Sequence, residues 1–201
     1  MSIRITGGIW RGRLLAVPKK GVRPTQDRVR AAVFSSLQDV IPAAKILDLF
    51  AGTGAFGLEA LSRGAAFACF VENDRVVLAC LKRNIELLLG AEQCAGSEKM
   101  TVVNSDVESF VKHAHDEVQS DLIFADPPYD TDGDWSKKIL YHLSRRSILT
   151  KKGRLIIESS AKSPLIEAED WDIDWERSYG ETRICMYRRK EVKGSGFTVH
   201  G

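Results

Sequence analysis

Four consecutive residues, Asp126-Pro127-Pro128-Tyr129, combine a carboxylate, two rigid backbone positions and an aromatic ring. They follow residues 121–125, a short apolar run that is typical of a buried parallel strand. Neither proline has an N–H group and both restrict φ, so the chain leaves the strand stiff while its carbonyl oxygens stay available as acceptors. Acceptors beside a ring suit a planar group that carries an amine, such as a nucleobase with an exocyclic NH2. An ordinary loop with a turn-forming start is the other interpretation.

A glycine-rich segment follows an earlier apolar run. Gly52, Gly54 and Gly57 satisfy the pattern GxGxxG between a predicted strand and a predicted helix, the context that supports a nucleotide site. Asp48 precedes the loop, and Glu72 ends the next predicted strand. Asp48 would repel a pyrophosphate, whereas the ammonium and sulfonium groups of S-adenosylmethionine would be attracted to both acids. The pattern therefore favours S-adenosylmethionine over NAD, and glycines that merely make a turn are the alternative.

Alternating strands and helices place these motifs. The predicted strands are 46–50, 66–72, 100–104, 121–126 and 154–159, and the helices between them are 55–63, 75–89, 107–115 and 135–146. This βαβ pattern predicts a doubly wound parallel sheet with right-handed crossovers. Two more strands, 171–179 and 182–188, are close enough to form an antiparallel hairpin at one edge. Ligands bind at the carboxyl ends of such strands, where Glu72 can hold ribose hydroxyls and Asp106 the adenine amine.

The N-terminal region is strongly basic. The first thirty residues contain eight Lys/Arg and one Asp, a net charge of +7, so the remainder carries −5 of the chain total of +2. This asymmetry favours a polyanionic partner, and a basic surface that only maintains solubility is the alternative. Residues 4–17 predict two short strands, which must dock on the body or become ordered on a ligand because a lone ribbon is marginal. Trp10 suits either stacking on nucleic acid or pinning the hairpin.

The composition divides the chain into three parts. Residues 1–24 are a basic hairpin and linker, residues 25–189 an α/β domain that begins with a helix over 28–40, and residues 190–201 a tail expected to be disordered. Apolar content of 44% and charged content of 28% are ordinary for a soluble protein. No apolar run reaches the ~20 residues that span a bilayer. Four scattered cysteines predict reduced core thiols in a cytoplasmic protein, and we expect a monomer without a metal site.

Together the motifs resemble a known class of enzyme. D-x-F-x-G-x-G at residues 48–54 and Asp-Pro-Pro-Tyr resemble the amino-methyltransferases of the Rossmann-like class. From residue 3 to about 188 the chain resembles the bacterial enzymes that methylate guanine N2 in small-subunit (16S) ribosomal RNA, most clearly over RITGGIWRGR at 4–13, RPTQDRVR at 23–30 and LDLFAGTGAFGLEALSRGA at 47–65. Gln26 and Ala31 depart from the family, which usually has Thr and Glu there.

The resemblance implies a seven-stranded class I methyltransferase sheet with the last strand antiparallel, a small N-terminal β-hairpin, S-adenosylmethionine as cofactor, and 16S ribosomal RNA or the assembling small subunit as partner. The predicted catalytic residues are Asp126, Pro127, Pro128 and Tyr129. The predicted cofactor-binding residues are Thr25, Asp48, Phe50, Gly52, Thr53, Gly54, Glu72, Asn73, Asp106 and Asp126. The predicted RNA-binding residues are Arg4, Trp10, Arg11, Arg13, Lys19, Lys20, Arg28 and Arg30, with contact to the cofactor left open for the last two.

Three alternatives stay open at the level of sequence. A DNA methyltransferase acting on adenine N6 or cytosine N4 would use the same Asp-Pro-Pro-Tyr chemistry, but it usually needs a target-recognition segment for which this chain has little room. An NAD-dependent dehydrogenase is disfavoured by Asp48 and by the lack of an obvious His/Lys acid–base pair near a strand end. A non-catalytic RNA-binding factor would retain the fold without the chemistry.

Overall fold

The computed structural model describes residues 2–18, 27–90, 98–114, 119–128 and 132–191. The predictions for Lys19, Lys20, Thr25 and Tyr129 lie outside these ranges, as does nearly all of the tail.

Strands and helices alternate through most of the described chain. The strands are β1 Ser2–Arg4, β2 Leu14–Ala16, β3 Lys45–Leu49, β4 Phe67–Glu72, β5 Met100–Asn104, β6 Ser120–Ala125, β7 Leu149–Ser160, β8 Trp171–Tyr179 and β9 Thr182–Arg189. The helices are α1 Asp27–Ser36, α2 Ala55–Ser62, α3 Arg75–Leu89, α4 Val107–His113 and α5 Asp134–Ser144.

Seven of the strands form one sheet in the order β5-β4-β3-β6-β7-β9-β8. The first five of these pair in parallel, whereas β9 is antiparallel to both β7 and β8. The predicted seven-stranded α/β sheet with an antiparallel last strand is therefore confirmed. The two strands closest in sequence, β8 and β9, form the predicted hairpin at one edge.

The core lies on both faces of this sheet. Ile46 belongs to a cluster beneath α1, α2 and α3, which we call the first face, and its neighbour Leu47 belongs to a cluster beneath α4 and α5, the second face. Both residues are buried, as expected for a strand covered by helices on each side. Cys69 and Cys185 are buried and free, in agreement with the predicted core thiols. In the described ranges, no helix is long and apolar enough to cross a membrane.

Two elements differ from their predicted bounds by more than two residues. Helix α1 ends four residues early, because the N–H groups of Val40 and Ile41 both bond to the Leu37 carbonyl in a turn. Strand β7 begins five residues early, because a register shift between Ser120 and Leu122 allows Ser120 to pair with Leu149. Both differences depend on local hydrogen bonding rather than on apolar pattern.

The N-terminal hairpin is part of the core. Ile3, Ile5 and Leu15 are buried in the first-face cluster, and the Ala16 N–H donates to Asn84 Oδ1 of α3 at 2.8 Å. The hairpin therefore docks on the body, the first of the two outcomes expected from its sequence.

Candidate active site

The predicted functional segments meet at one edge of the sheet. Leu49 pairs with Val71 on one side and with Ala125 on the other, so the next residue of each strand (Phe50, Glu72 and Asp126) lies at the same edge. Neighbouring strands are about 4.8 Å apart. The glycine loop thus leaves the sheet between Glu72 and the segment Asp126-Pro127-Pro128, which we call the Asp-Pro-Pro corner.

The glycine loop has a conformation that ordinary side chains would resist. Gly52 and Gly54 have φ of 57° and 79°, values that favour glycine. A Cβ on Gly54 would collide with Leu81, and one on Gly57 would meet the Phe70 ring and lie 3.1 Å from Asp48 Oδ2. The loop is therefore a close-packed backbone cradle, which suits a ligand that approaches main-chain atoms.

Glu72 fixes both sides of this cradle. Its Oε2 accepts from the Gly52 N–H at 3.0 Å, and its Oε1 accepts from the N–H groups of Asn73 and Asp74 at 2.9 Å. Glu72 is half-buried, so a ligand above the edge can still reach it. The carboxylate holds the loop and the β4–α3 turn in one arrangement.

Other predicted cofactor residues lie around the same edge. Asp106 is exposed and caps α4, accepting from the Ser109 N–H at 2.9 Å. Asn73 is exposed beside Glu72. Thr53 is buried, and its carbonyl accepts from Asn84 Nδ2 at 3.0 Å. Thr53 is therefore placed to contribute its backbone rather than its side chain.

Asp48 lies beneath the loop rather than at its surface. It is 3% exposed, and its Oδ2 accepts from the Gly57 N–H at 2.9 Å. Burial raises the pKa of Asp48 from its ordinary 3.8 to about 8, the hydrogen bond from Gly57 opposes this, and the charge of Glu72 adds to it. Asp48 is thus mainly neutral at pH 7 and ties the loop to the start of α2.

This raised pKa predicts a pH-dependent stability. The folded state binds the Asp48 proton more tightly than the unfolded state, so its stabilisation is complete below about pH 4 and is lost as pH rises towards 8. Asp48→Asn replaces the titrating carboxyl group with a neutral amide, so the variant should not lose this stability as the pH rises. Between pH 5 and pH 8 the free energy of unfolding should shift in favour of the variant by roughly 1–4 kcal/mol, measured by urea denaturation. Parallel pH profiles for the two proteins would contradict the assignment.

The Asp-Pro-Pro corner lies above an aromatic layer. Asp126 is half-buried, Pro127 buried and Pro128 exposed. Just before them Phe124 stacks on Phe56 with ring centroids 5.0 Å apart, at an interplanar angle of 22°. The corner therefore combines a partly accessible carboxylate with a rigid apolar base.

Two residues near this corner were missed by sequence reasoning. Trp135, in the first turn of α5, contacts Phe50 edge to face with centroids 5.0 Å apart, and Lys138 Nζ lies 5.1 Å from the Trp135 ring centroid. Glu158 lies in β7 at 5% exposure. The available signals were an aromatic residue soon after the Asp-Pro-Pro segment and a carboxylate inside an apolar strand.

Phe50 has a backbone conformation that is unusual for a residue other than glycine. Its φ is 58°, in the left-handed region that costs of order 1–2 kcal/mol outside glycine. Packing against Trp135 holds the ring on the second face. The strained residue therefore connects the start of the glycine loop to the helix that follows the corner.

The predicted RNA-binding residues fall into two groups. Arg4, Arg11, Arg13 and Arg28 are exposed, as their predicted role requires. Arg30 is fully buried, with Nε 3.5 Å from the equally buried Glu59 Oε2. The prediction that Arg30 contacts RNA or cofactor is wrong, because its guanidinium is enclosed between α1, α2 and the hairpin.

Trp10 lies at the far edge of the sheet. The residue is half-buried, and its backbone N–H donates to Ser62 Oγ at 2.9 Å, at the end of α2. It lines a groove of about 870 Å³ with Leu88, Ala66 and Met100, where β4 and β5 begin. Ligands of parallel α/β sheets bind at the carboxyl ends of strands, whereas this groove lies at the amino ends.

A family model described as "Conserved hypothetical protein 95" matches residues 3–188. The chain is 38% identical over 192 residues to ribosomal RNA small subunit methyltransferase D of Escherichia coli, covering 94% of this chain and 91% of that protein. It is 34% identical over 188 residues to the protein of the same name from Haemophilus influenzae, covering 93% and 94%. The chain belongs to this family.

Solved structures of family members have the same fold. An Escherichia coli protein described as a methyltransferase has a TM-score of 0.81 at 37% identity, covering 94% of this chain and 99% of that one. A Haemophilus influenzae protein described as a methylase has a TM-score of 0.77 at 30% identity, covering 95% and 100%. The family expected from the motifs is thereby confirmed, together with the class I methyltransferase fold.

Proposed function

We propose that this chain transfers a methyl group from S-adenosylmethionine to the exocyclic N2 of a guanine in small-subunit ribosomal RNA. The observation that carries the proposal is the placement of the Asp126-Pro127 acceptor corner beside the glycine loop at one sheet edge. Membership in the methyltransferase D family supports ribosomal RNA as the substrate, since relatives at 34–38% identity are named for that activity.

The residues at the edge fit S-adenosylmethionine. Gly52 and Gly54 hold the loop in a left-handed backbone conformation, Glu72 offers acceptors beside it, and Asp106 lies at the next strand end. When bound, S-adenosylmethionine supplies an electrophilic methyl group on its sulfonium.

Asp48 gives the cradle a second property. Its raised pKa keeps it neutral at pH 7, but a cation bound above the loop would favour the ionised form. We therefore expect Asp48 to release a proton when a ligand with an ammonium group binds. Calorimetry in buffers of different ionisation enthalpy measures such a release directly.

The corner can orient a guanine amine. In a helix the base is stacked and paired, so it must be flipped or splayed into the site. The Asp126 carboxylate and the Pro127 carbonyl accept the two N2 hydrogens, which points the nitrogen lone pair away from the corner. Bound S-adenosylmethionine would supply the methyl group and leave as S-adenosylhomocysteine, and Asp126 or water would take the N2 proton. Holding the reactants ~3–3.5 Å apart can lower the barrier by about 7–11 kcal/mol.

The exposed arginines around the hairpin turn address a different part of the RNA. Arg11 and Arg13 follow Trp10 in the hairpin turn, which contacts the ends of α2 and α3 at the edge opposite the corner. Strands of five or six residues separate the two edges by ~17–20 Å. Phosphates bound by the turn therefore belong to nucleotides far from the target base in the folded RNA.

Mapping methylated guanines tests the activity. Ribosomal RNA from a strain lacking this protein should lose one N2-methylguanine, and the purified protein with radiolabelled S-adenosylmethionine should restore it on RNA but not label DNA. A thermal-shift screen should show stabilisation by S-adenosylmethionine and none by NAD. The proposal would be contradicted if the protein labelled DNA, or if it transferred no label to guanine N2 in the RNA.

The turn assignment predicts a salt effect. Arg11→Ala should weaken RNA binding and reduce the slope of log affinity against log salt by about 0.7–0.9, the value for one phosphate contact. Lys152→Ala, which removes an exposed lysine of β7, is the matched control and should leave the slope unchanged. Equal slopes for wild type and Arg11→Ala would show that the turn does not bind phosphate.

A further inference from the structure

Glu158 is a buried carboxylate that the proposed mechanism does not yet use. It lies in β7 at 5% exposure and pairs with Ile184 of β9. On the other side Ile157 pairs with Ala125 of β6. Glu158 follows Ile157 in β7, and Asp126 follows Ala125 in β6. The two acidic residues therefore occupy adjacent positions on neighbouring parallel strands.

Both side chains belong to the first face of the sheet. Phe124 and Ile156 pack in the first-face cluster, whereas Ala125 and Ile157 pack in the second. Side chains alternate along a strand, which assigns Glu158 to the first face. Asp126 precedes Pro127, and a residue before proline is held extended, so the alternation continues through Asp126. Two carboxylates thus lie side by side, with backbones about 4.8 Å apart.

This pairing matches the edge of one nucleobase. Guanine carries neighbouring N1–H and N2–H donors, whereas adenine has an acceptor at N1 and no amine at C2. A carboxylate oxygen accepts hydrogen bonds. We propose that Glu158 accepts the N1–H of the target guanine while Asp126 and Pro127 hold N2, so that Glu158 selects guanine. This inference rests on the proposed guanine-N2 activity.

Replacing the target guanine with 2-aminopurine tests the role of Glu158. This base keeps the 2-amine that receives the methyl group, but its N1 is an acceptor that would face the carboxylate. Wild-type protein should methylate guanine RNA with a kcat/KM roughly 10- to 100-fold above that for 2-aminopurine RNA. Glu158→Gln offers an amide N–H to the altered N1, and the preference should fall to about 3-fold or less.

Controls separate selection from a structural role. Glu176→Gln changes a half-exposed glutamate of β8 that pairs with Arg183, and it should keep the wild-type preference. Glu158→Asp keeps the carboxylate and should keep most of the preference at a lower rate. Binding of S-adenosylhomocysteine, measured by calorimetry, should be unchanged in each folded variant.

The outcomes are distinguishable. If Glu158→Gln lowers kcat/KM for both RNAs by the same factor, Glu158 does not read N1 and the inference is wrong. If Glu158→Gln does not fold, Glu158→Ala replaces it in the test: a reduced preference for guanine supports the inference, and an unchanged preference overturns it. If wild-type protein methylates no guanine RNA, the proposed function and this inference both fail.

Discussion

Asp126→Ala is expected to lower kcat by about 10²–10³-fold, similar to the loss of one preorganised polar group at other reacting centres. In the proposed mechanism the carboxylate accepts an N2 hydrogen only when the base is in the site, so its loss should disturb the orientation of the nitrogen rather than the cradle. Calorimetry should therefore give an affinity for S-adenosylmethionine near the wild-type value. Radiolabelled methyl transfer to ribosomal RNA measures the kcat.

Two further variants limit the interpretation of this result. Asp126→Asn keeps one acceptor oxygen without the charge, so its activity should lie between wild type and alanine. Asp39→Ala removes an exposed carboxylate in the turn after α1 and should leave both measurements unchanged. A large loss of cofactor affinity in Asp126→Ala would place this residue with the cofactor and not with the base.

Glu59→Ala is expected to lower the free energy of unfolding by about 3–5 kcal/mol, because it removes the buried carboxylate beside the guanidinium of Arg30, which then retains its contact with the half-exposed Asp27. Glu59 and Arg30 are both fully buried. The second oxygen of Glu59 accepts from Thr6 of the hairpin and forms an ion pair with Arg63 Nη2 at 2.9 Å. One carboxylate thus joins the hairpin, α1 and α2, and urea denaturation measures its contribution.

A double variant distinguishes charge from packing. Replacing both partners, Arg30→Met with Glu59→Leu, leaves no fully buried charge, since Asp27 and Arg63 are partly exposed, and it should recover most of the lost stability. Asp172→Ala breaks the half-exposed pair with Arg188, whose atoms are 3.3 Å apart, and should lower stability by at most ~1 kcal/mol. If Glu59→Ala is no worse than Asp172→Ala, the buried network does not secure the hairpin.

The errors of sequence reasoning share a physical origin. The prediction that Arg30 binds RNA or cofactor follows from the cluster of eight basic residues near the N-terminus. Its buried partner Glu59 is 29 residues away in sequence. Trp135 was not selected because its contact with Phe50 joins two segments far apart in the chain. Charge and aromatic content are visible in one segment at a time, whereas a pair is visible only after folding.

The sequence by itself determined the alternating strands and helices, the glycine loop and the Asp-Pro-Pro corner, because apolar periodicity, glycine and proline act through the local backbone. Parallel strand topology then predicted that the loop and the corner share an edge. Only the tertiary structure decided which charges are buried and which side chains are neighbours. Arg30 is enclosed by Glu59, Asp48 lies beneath the loop, and Glu158 is beside Asp126, since strand register and helix docking depend on the whole core.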